Sequence, residues 1–338
     1  MSSVKWLVES GCLKKVPSKY AYEKNPEDRI SEDEETIPTI DYSLLTHGTP
    51  IQRFKVIQDL GNACQEWGFF MVINHGVPKK LRDEIINSTE TFFNLTEEEK
   101  QEYRGNELLD PIKCGTSFNV RVDKPLMWRD YLKILVHPHF VSPHKPVGFS
   151  EVLQEYCKRS REVASELLKG ISKSLELEEN YITKRMEVEV GSQMFVANLY
   201  PPCPQPEIAM GLPPHSDYGL LTLLIQNHLG GLQVMHKGKW VPINPLPDSI
   251  IINIGDHMEI LTNGKYKSVV HRAVVNGHGT RISIGTAHGP PLETIVSPAP
   301  ELANLPPPAY RGIKFREYVE LQQSSQLIGK SCLDRIRI

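Results

Sequence analysis

From Ser192 onward the apolar pattern of this chain changes period, and that change limits what the chain can fold into. Short runs alternate apolar and polar residues, as half-buried strands do. Candidate strands fall at 192–200, 219–226, 231–236, 249–254, 266–272 and 281–287. Turn signals separate them: Gly230-Gly231, Lys237-Gly238, Asn263-Gly264 and Gly277-His278-Gly279. Many short strands at such spacing imply a sandwich or a barrel. The preceding half reads differently. Phe54, Ile57, Leu60, Ala63 and Cys64 recur at helical spacing, a second helix is expected over 81–93, and Leu153, Val163, Leu167, Ile171 and Leu175 stripe a long helix over 150–177. Residues 69–73 are strand-like, 24–36 read as an exposed polar connector, and 105–147 as loop with short strands. Helices first and strands later suggest an α+β chain.

Within the strand-rich half, His215-Ser216-Asp217 offers an imidazole and a carboxylate two residues apart. In a strand that spacing puts both side chains on one face. His271 follows far downstream in the strand-like run Tyr266–Arg272. Two imidazoles and one carboxylate make a three-point face for Fe(II), with the opposite positions open. Arg281-Ile282-Ser283 then places a guanidinium and a hydroxyl on one face. Arginine grips a carboxylate bidentately, so the pair reads as an anchor for an acidic co-substrate. Each element is weak alone; order, spacing and strand context together carry the reading.

The bulk properties agree. The chain has 338 residues with 40% hydrophobic content, enough for a sizeable core. A net charge of −3 and the lack of a basic cluster argue against a nucleic-acid surface. Six cysteines without CxxC pairing suggest neither a zinc ribbon nor a disulfide framework. Without a secretory apolar run at the N-terminus or a membrane-length apolar stretch, the cytoplasm is the expected compartment and a monomer the expected state.

Longer stretches carry a resemblance. Trp67-Gly68-Phe69-Phe70-Met71-Val72-Ile73-Asn74-His75-Gly76-Val77, Asn198-Leu199-Tyr200-Pro201-Pro202-Cys203-Pro204, Asn253-Ile254-Gly255-Asp256 and Leu261–Ser268 resemble the plant Fe(II)/2-oxoglutarate-dependent dioxygenases of specialised and hormone metabolism. The similarity runs from about Ile37 to Asp334. It implies a double-stranded β-helix (jelly roll, cupin-like) over 191–300. A mostly helical N-terminal region, 1–190, and a helical tail, 301–338, would flank it.

The resemblance also implies roles. His215, Asp217 and His271 would hold Fe(II), with His215 and Asp217 at the start of one strand and His271 on the opposing sheet. Arg281 and Ser283, joined by Asn198 and Tyr200, would hold 2-oxoglutarate. The reaction would use O2, with ascorbate as reductant, to hydroxylate, desaturate or demethylate a small metabolite, giving succinate and CO2. Trp128, Met258, Ala287 and Gly289, with Glu259 beside Met258, are candidates for the substrate wall. Many relatives carry phenylalanine where this chain has Ala287, so a roomier pocket is expected. Two alternatives remain: an oxidase of the same superfamily that does not consume 2-oxoglutarate, and a non-catalytic cupin-like binder. Trp67, Phe69, Phe70 and Trp240 read as core, His75 as hydrogen-bonded structure, and Gly255-Asp256 as a turn.

Overall fold

A computed structural model of the chain describes residues 3–11, 13–23, 25–31, 35–105, 107–302 and 307–338. Cys12 and parts of the 24–36 connector lie outside the described residues. The strands are β1 (Thr39–Asp41), β2 (Phe69–Ile73), β3 (Ile112–Thr116), β4 (Asp130–His137), β5 (Ser192–Tyr200), β6 (Leu212–His215), β7 (Leu221–Gln226), β8 (Leu232–His236), β9 (Lys239–Pro242), β10 (Ile250–Ile254), β11 (His271–Ala273) and β12 (Arg281–Gly289), with a two-stranded ribbon from β13 (Ile295–Val296) and β14 (Ile313–Lys314). The helices are α1 (Val4–Glu9), α2 (Tyr42–His47), α3 (Pro50–Glu66), α4 (Lys79–Phe93), α5 (Glu97–Gln101), α6 (Phe149–Ser174), α7 (Tyr181–Arg185), α8 (Asp256–Leu261), α9 (Phe315–Ser324) and α10 (Ser331–Asp334).

Two sheets form the core: an eight-stranded one in the order β1-β2-β10-β7-β12-β5-β4-β3 and a four-stranded one in the order β6-β11-β8-β9. This is the jelly roll. Its larger sheet draws β1 to β4 from before Ser192, so the N-terminal region expected to be mostly helical also extends the sheet.

Helices cover the outer face. α3 begins with a capping box, in which Thr49 and Gln52 satisfy each other's backbone N–H groups, and Pro50 stands at the first helical position. α6 buries Leu153, Cys157, Val163, Ala164, Leu167, Leu168 and Ile171, one stripe at helical spacing. It packs on α3 and α4. Each fully buried leucine there stabilises the fold by about 1.5–3 kcal/mol relative to exposure.

Three local departures have physical causes. The run 266–272 is expected as a strand, yet only His271–Ala273 pairs. The Tyr266 and Ser268 N–H groups are taken by the Thr262 hydroxyl and the Glu259 carboxylate, so neither is free for a ladder. β6 has no period-two signature because it contains Pro213 and Pro214. It lies at a sheet edge, where proline is tolerated. The connector also docks: Ser31 N–H donates to Trp240 O and Trp240 N–H to Arg29 O, extending β9.

Gly255 does not form the expected simple turn. It caps α8, and its backbone passes so close to Gly219 that a Cβ would overlap the Gly219 carbonyl. The adjoining Asp256 N–H donates to Asp217 O (2.7 Å), which ties this crossing to the loop after His215. Gly255→Ala is therefore expected to lower stability by about 1–3 kcal/mol, the usual cost of overpacking, checked by urea denaturation. An unchanged midpoint would mean the crossing relaxes freely.

Candidate active site

His215 and His271 are brought together by strand pairing. β6 and β11 run antiparallel, and His215 stands directly opposite His271. The two histidines thus share the smaller sheet; His271 is not on the opposing sheet, as expected from sequence. The rings sit 4.2 Å apart, centroid to centroid.

Each imidazole is oriented in the same way. Nδ1 of His215 lies 2.8 Å from Pro213 O, and Nδ1 of His271 lies 3.1 Å from Val269 O. A carbonyl can only accept, so each Nδ1 carries the proton and each Nε2 presents a lone pair. Both Nε2 atoms lie 3.7 Å from the same oxygen, Asp217 Oδ1.

Asp217 is not in a strand. β6 ends at His215, and Asp217 lies in the loop leading to β7. The same-face argument from i, i+2 spacing therefore does not orient it. Its other oxygen, Oδ2, does: it accepts from Thr222 Oγ1 (2.7 Å) and Asn253 Nδ2 (2.9 Å). Oδ1 is left toward the histidines. The three ligand atoms lie within 4.8 Å of one another, a cluster able to hold a metal ion.

Electrostatics favour the metal-binding protonation states. Burial pushes His215 below its usual pKa, and the neighbouring His271 adds to this. Burial alone would raise the Asp217 carboxyl, but His271, His215 and the bonds from Thr222 and Asn253 hold it below the usual range. Neutral imidazole and ionised carboxylate are the forms that ligate.

The cluster opens on a cavity of about 140 Å³. Its wall is built by β12, whose Arg281, Ser283, Gly285 and Ala287 face inward in alternation. Across the ladder, Tyr200 stands opposite Arg281 and Asn198 opposite Ser283. The four residues expected at the co-substrate end therefore form one patch. Arg281 is only 2% exposed. Its Nη2 donates to Gln226 Oε1 (2.7 Å), its guanidinium lies 5.2 Å from the Tyr200 ring centroid, and its Nε has no partner. Among the described residues no carboxylate reaches it. A buried guanidinium without an anion is costly, and this one faces a cavity. An acidic ligand would match this guanidinium in charge.

Ala287 lines the cavity as expected, but three other wall candidates do not. Trp128 is fully buried in a separate cluster, edge-on to Tyr20, with its indole N–H donating to Pro201 O. Met258 is in the main core on α8. Gly289 sits where β12 meets Phe315, whose ring a Cβ would overlap. Glu259 is also away from the cavity, held by Tyr310, Lys330 and the Ser268 N–H.

Sequence reasoning missed Thr222, Asn253, Gln226 and Lys133, and it read Phe69 only as core. Phe69 lines the cavity and packs edge-on against His271 at 5.2 Å. The readable signal for Thr222 and Asn253 was a lone polar residue inside an otherwise apolar strand, Leu221-Thr222-Leu223-Leu224-Ile225 and Ile250-Ile251-Ile252-Asn253-Ile254.

Residues 191–290 match the 2OG-Fe(II) oxygenase superfamily, and residues 37–153 match a family described as non-haem dioxygenase in morphine synthesis N-terminal. The 2-oxoglutarate-dependent dioxygenase 19 of Oryza sativa subsp. japonica is 45% identical over 307 residues, 89% of this chain and 90% of that protein. This chain belongs to the 2OG-Fe(II) oxygenase superfamily. Thebaine 6-O-demethylase of Papaver somniferum is 39% identical, covering 91% of this chain and 87% of that oxygenase. The crystal structure of JOX2 in complex with 2OG, Fe and JA matches this oxygenase with a TM-score of 0.90 at 30% identity, over 100% of this chain and 98% of JOX2. It is thus an enzyme, a dioxygenase dependent on Fe(II) and 2-oxoglutarate.

The orientation of Asp217 gives a direct expectation. Thr222→Val removes one of two hydrogen bonds to Oδ2 with little change of shape. Loss of such a supporting partner typically costs about 10–100-fold in metal affinity. Fe(II) titration under nitrogen should show that weakening with an unchanged melting temperature. Equal affinity would mean Asn253 alone suffices.

Proposed function

We propose that His215, Asp217 and His271 are the iron ligands of this dioxygenase, and that Arg281 and Ser283, flanked by Tyr200 and Asn198, bind the distal carboxylate of 2-oxoglutarate. The observation that carries this is the convergence of two Nε2 lone pairs on Asp217 Oδ1, each ligand locked from behind, with an anion-free Arg281 in the same cavity. The donor set suits iron: two neutral nitrogens and one hard oxygen, with no thiolate beside them.

Bound there, Fe(II) with 2-oxoglutarate supplies an oxidation in which O2 gives one oxygen atom to succinate and one to the substrate, with release of CO2. The chain's own residues have narrower tasks. Arg281 sets the register of the co-substrate by its charge and paired donors. Thr222 and Asn253 keep Asp217 aimed. Phe69, Val196, Leu212, Leu224 and Leu232 line an apolar space that admits an organic molecule and limits water. The small side chains of Gly285 and Ala287 leave room for it. We read the substrate as a small plant metabolite, oxidised by hydroxylation or, as in the relatives named demethylases, by loss of a methyl group. Ascorbate serves as the reductant that keeps iron in the ferrous state. The five described cysteines are unpaired and buried, which fits a reducing compartment, the cytoplasm. No helix among the described residues is long and apolar enough to cross a membrane.

Two measurements test the assignment. Asp217→Ala should abolish substrate-coupled succinate formation and sharply weaken Fe(II) binding; wild-type turnover in that variant would sink it. Arg281→Lys keeps the charge but loses the paired donors. Its apparent KM for 2-oxoglutarate should rise roughly ten- to a hundred-fold, the equivalent of one charge-assisted hydrogen bond. An unchanged 2-oxoglutarate dependence would remove Arg281 from the anchor.

A further inference from the structure

A second cation without an anion faces the same cavity. Lys133 lies on β4, which pairs with β5 on the side away from β12, and it stands opposite Val196 of the cavity wall. Its Nζ donates to a neutral acceptor, Gln323 Oε1 of α9 (2.7 Å), and lies 4.6 Å from the Phe118 ring centroid and 5.1 Å from that of Tyr131. Among the described residues no carboxylate pairs with it. Arg129 flanks the other side of the arrangement, 5.1 Å from the same Tyr131 ring, with Nε and Nη2 unpartnered; Asp123 and Asp130 act on it without a direct ion pair. The alternation of β4 thus sets a guanidinium, a ring and an ammonium in a row.

Lys133 also marks an entrance. Phe118, Lys133 and Gln323 line both the inner cavity and an outer groove that carries Arg104, Lys113 and Arg121. Glu107 also lines this groove and Arg104 pairs with Glu97, so its charge is mixed with an excess of cations, which still concentrates anionic ligands. The two cavity cations lie on strands that flank β5, Arg281 on β12 and Lys133 on β4, and each holds a neutral glutamine, Gln226 and Gln323. They are placed to serve two different ligands.

We propose that the substrate of this enzyme carries a carboxylate, held by the Lys133 ammonium between Phe118 and Gln323 while the apolar body of the molecule extends toward Ala287. This rests on the reading of the site given above, in which Arg281 serves 2-oxoglutarate. Burial and the nearby Arg129 and Lys113 disfavour the ammonium, Asp123 offsets them only in part, and an anionic ligand would favour it further. Lys133 acts as a specificity residue for the charged end of the substrate.

The test is a retention experiment under nitrogen, so that binding is read without turnover. Protein loaded with Fe(II) and 2-oxoglutarate is equilibrated with a mixture of small aromatic and alicyclic carboxylic acids, each paired with its methyl ester. The retained compounds are identified by mass spectrometry after ultrafiltration. Wild-type protein should retain acids over their own esters by about ten-fold or more. Lys133→Met should erase that preference, and Lys133→Arg should keep it, which separates loss of charge from loss of fold. A retained set in which esters match acids, an empty retained set, or loss of the preference in both variants or in neither overturns the proposal. Wild-type protein that fails to bind 2-oxoglutarate in the loading step instead defeats the underlying reading of Arg281.

Discussion

The site depends on one strand pairing. β6 and β11 meet so that His215 and His271 face each other, and each ring is fixed by a hydrogen bond from Nδ1 to the carbonyl two residues earlier. His215 ends β6 and His271 begins β11, so both stand at the end of a short strand. With Nδ1 so committed, both Nε2 lone pairs can only point inward. Asp217, which follows in a loop, then needs an orientation from elsewhere. It comes from the larger sheet, through Thr222 of β7 and Asn253 of β10. The proposed metal-binding face therefore joins the two sheets of the jelly roll: the small sheet supplies the nitrogens and the large sheet aims the oxygen.

The cavity wall follows from a different property of the same large sheet. β12 is central, paired to β5 on one side and β7 on the other. A central strand must be nearly continuous in apolar or small residues on both faces. Placing Arg281 and Ser283 there costs stability unless a ligand compensates. Gly285 and Ala287 continue the same face with almost no side chain. The strand thus offers polarity at one end and empty space at the other. Fold stability gains nothing from that gradient, whereas a co-substrate and a substrate lying side by side need it.

Legibility in the sequence followed the same division. The apolar stripe of α6 could be read because that helix buries a regular pattern; on α3 Leu60, Ala63 and Cys64 are buried as read, but Phe54 is exposed and Val56 is buried instead, and β12 is buried along nearly its whole length. The proposed ligands could be picked out because His215, His271 and Arg281 are polar groups rare in strands and Asp217 follows His215 by two residues, although Asp217 itself lies in a loop. What could not be read was which sheet each ligand occupies. That depends on pairing between strands far apart in the chain, and β6 hides behind two prolines. The wall residues fared worst. Met258 and Gly289 lie close in sequence to site segments, yet one points into the core from α8 and the other meets Phe315 of α9. Sequence proximity to a motif says little about facing once a helix or a C-terminal segment intervenes. Lys133 is the converse case, an unremarkable lysine within Tyr131-Leu132-Lys133-Ile134 until β4 turns it inward.

The C-terminal segment explains why a site built on loops keeps its shape. Tyr318 of α9 and Ser216, between the two ligands of the triplet, both donate to Asp256 Oδ2, at 2.6 and 3.0 Å. Gln322 Nε2 donates to Ser216 O, and Gly329 N–H to Pro214 O. A few residues on, Lys330 and Tyr310 meet the buried Glu259 carboxylate on the same short helix α8 as Asp256. The tail thus supplies donors to both buried carboxylates, Tyr318 to Asp256 Oδ2 and Lys330 and Tyr310 to Glu259, and is pinned by them, while Asp256 Oδ1 keeps no partner. The segment from Pro214 at the end of β6 to Asp217 in the loop that follows is held from the back by α8 and α9. Gln323, the next residue of α9, turns the other way and accepts from Lys133. One helix therefore braces the segment that carries His215 and Asp217 with one glutamine and lines the cavity with the other, so that order at the cavity and order at that segment depend on the same element.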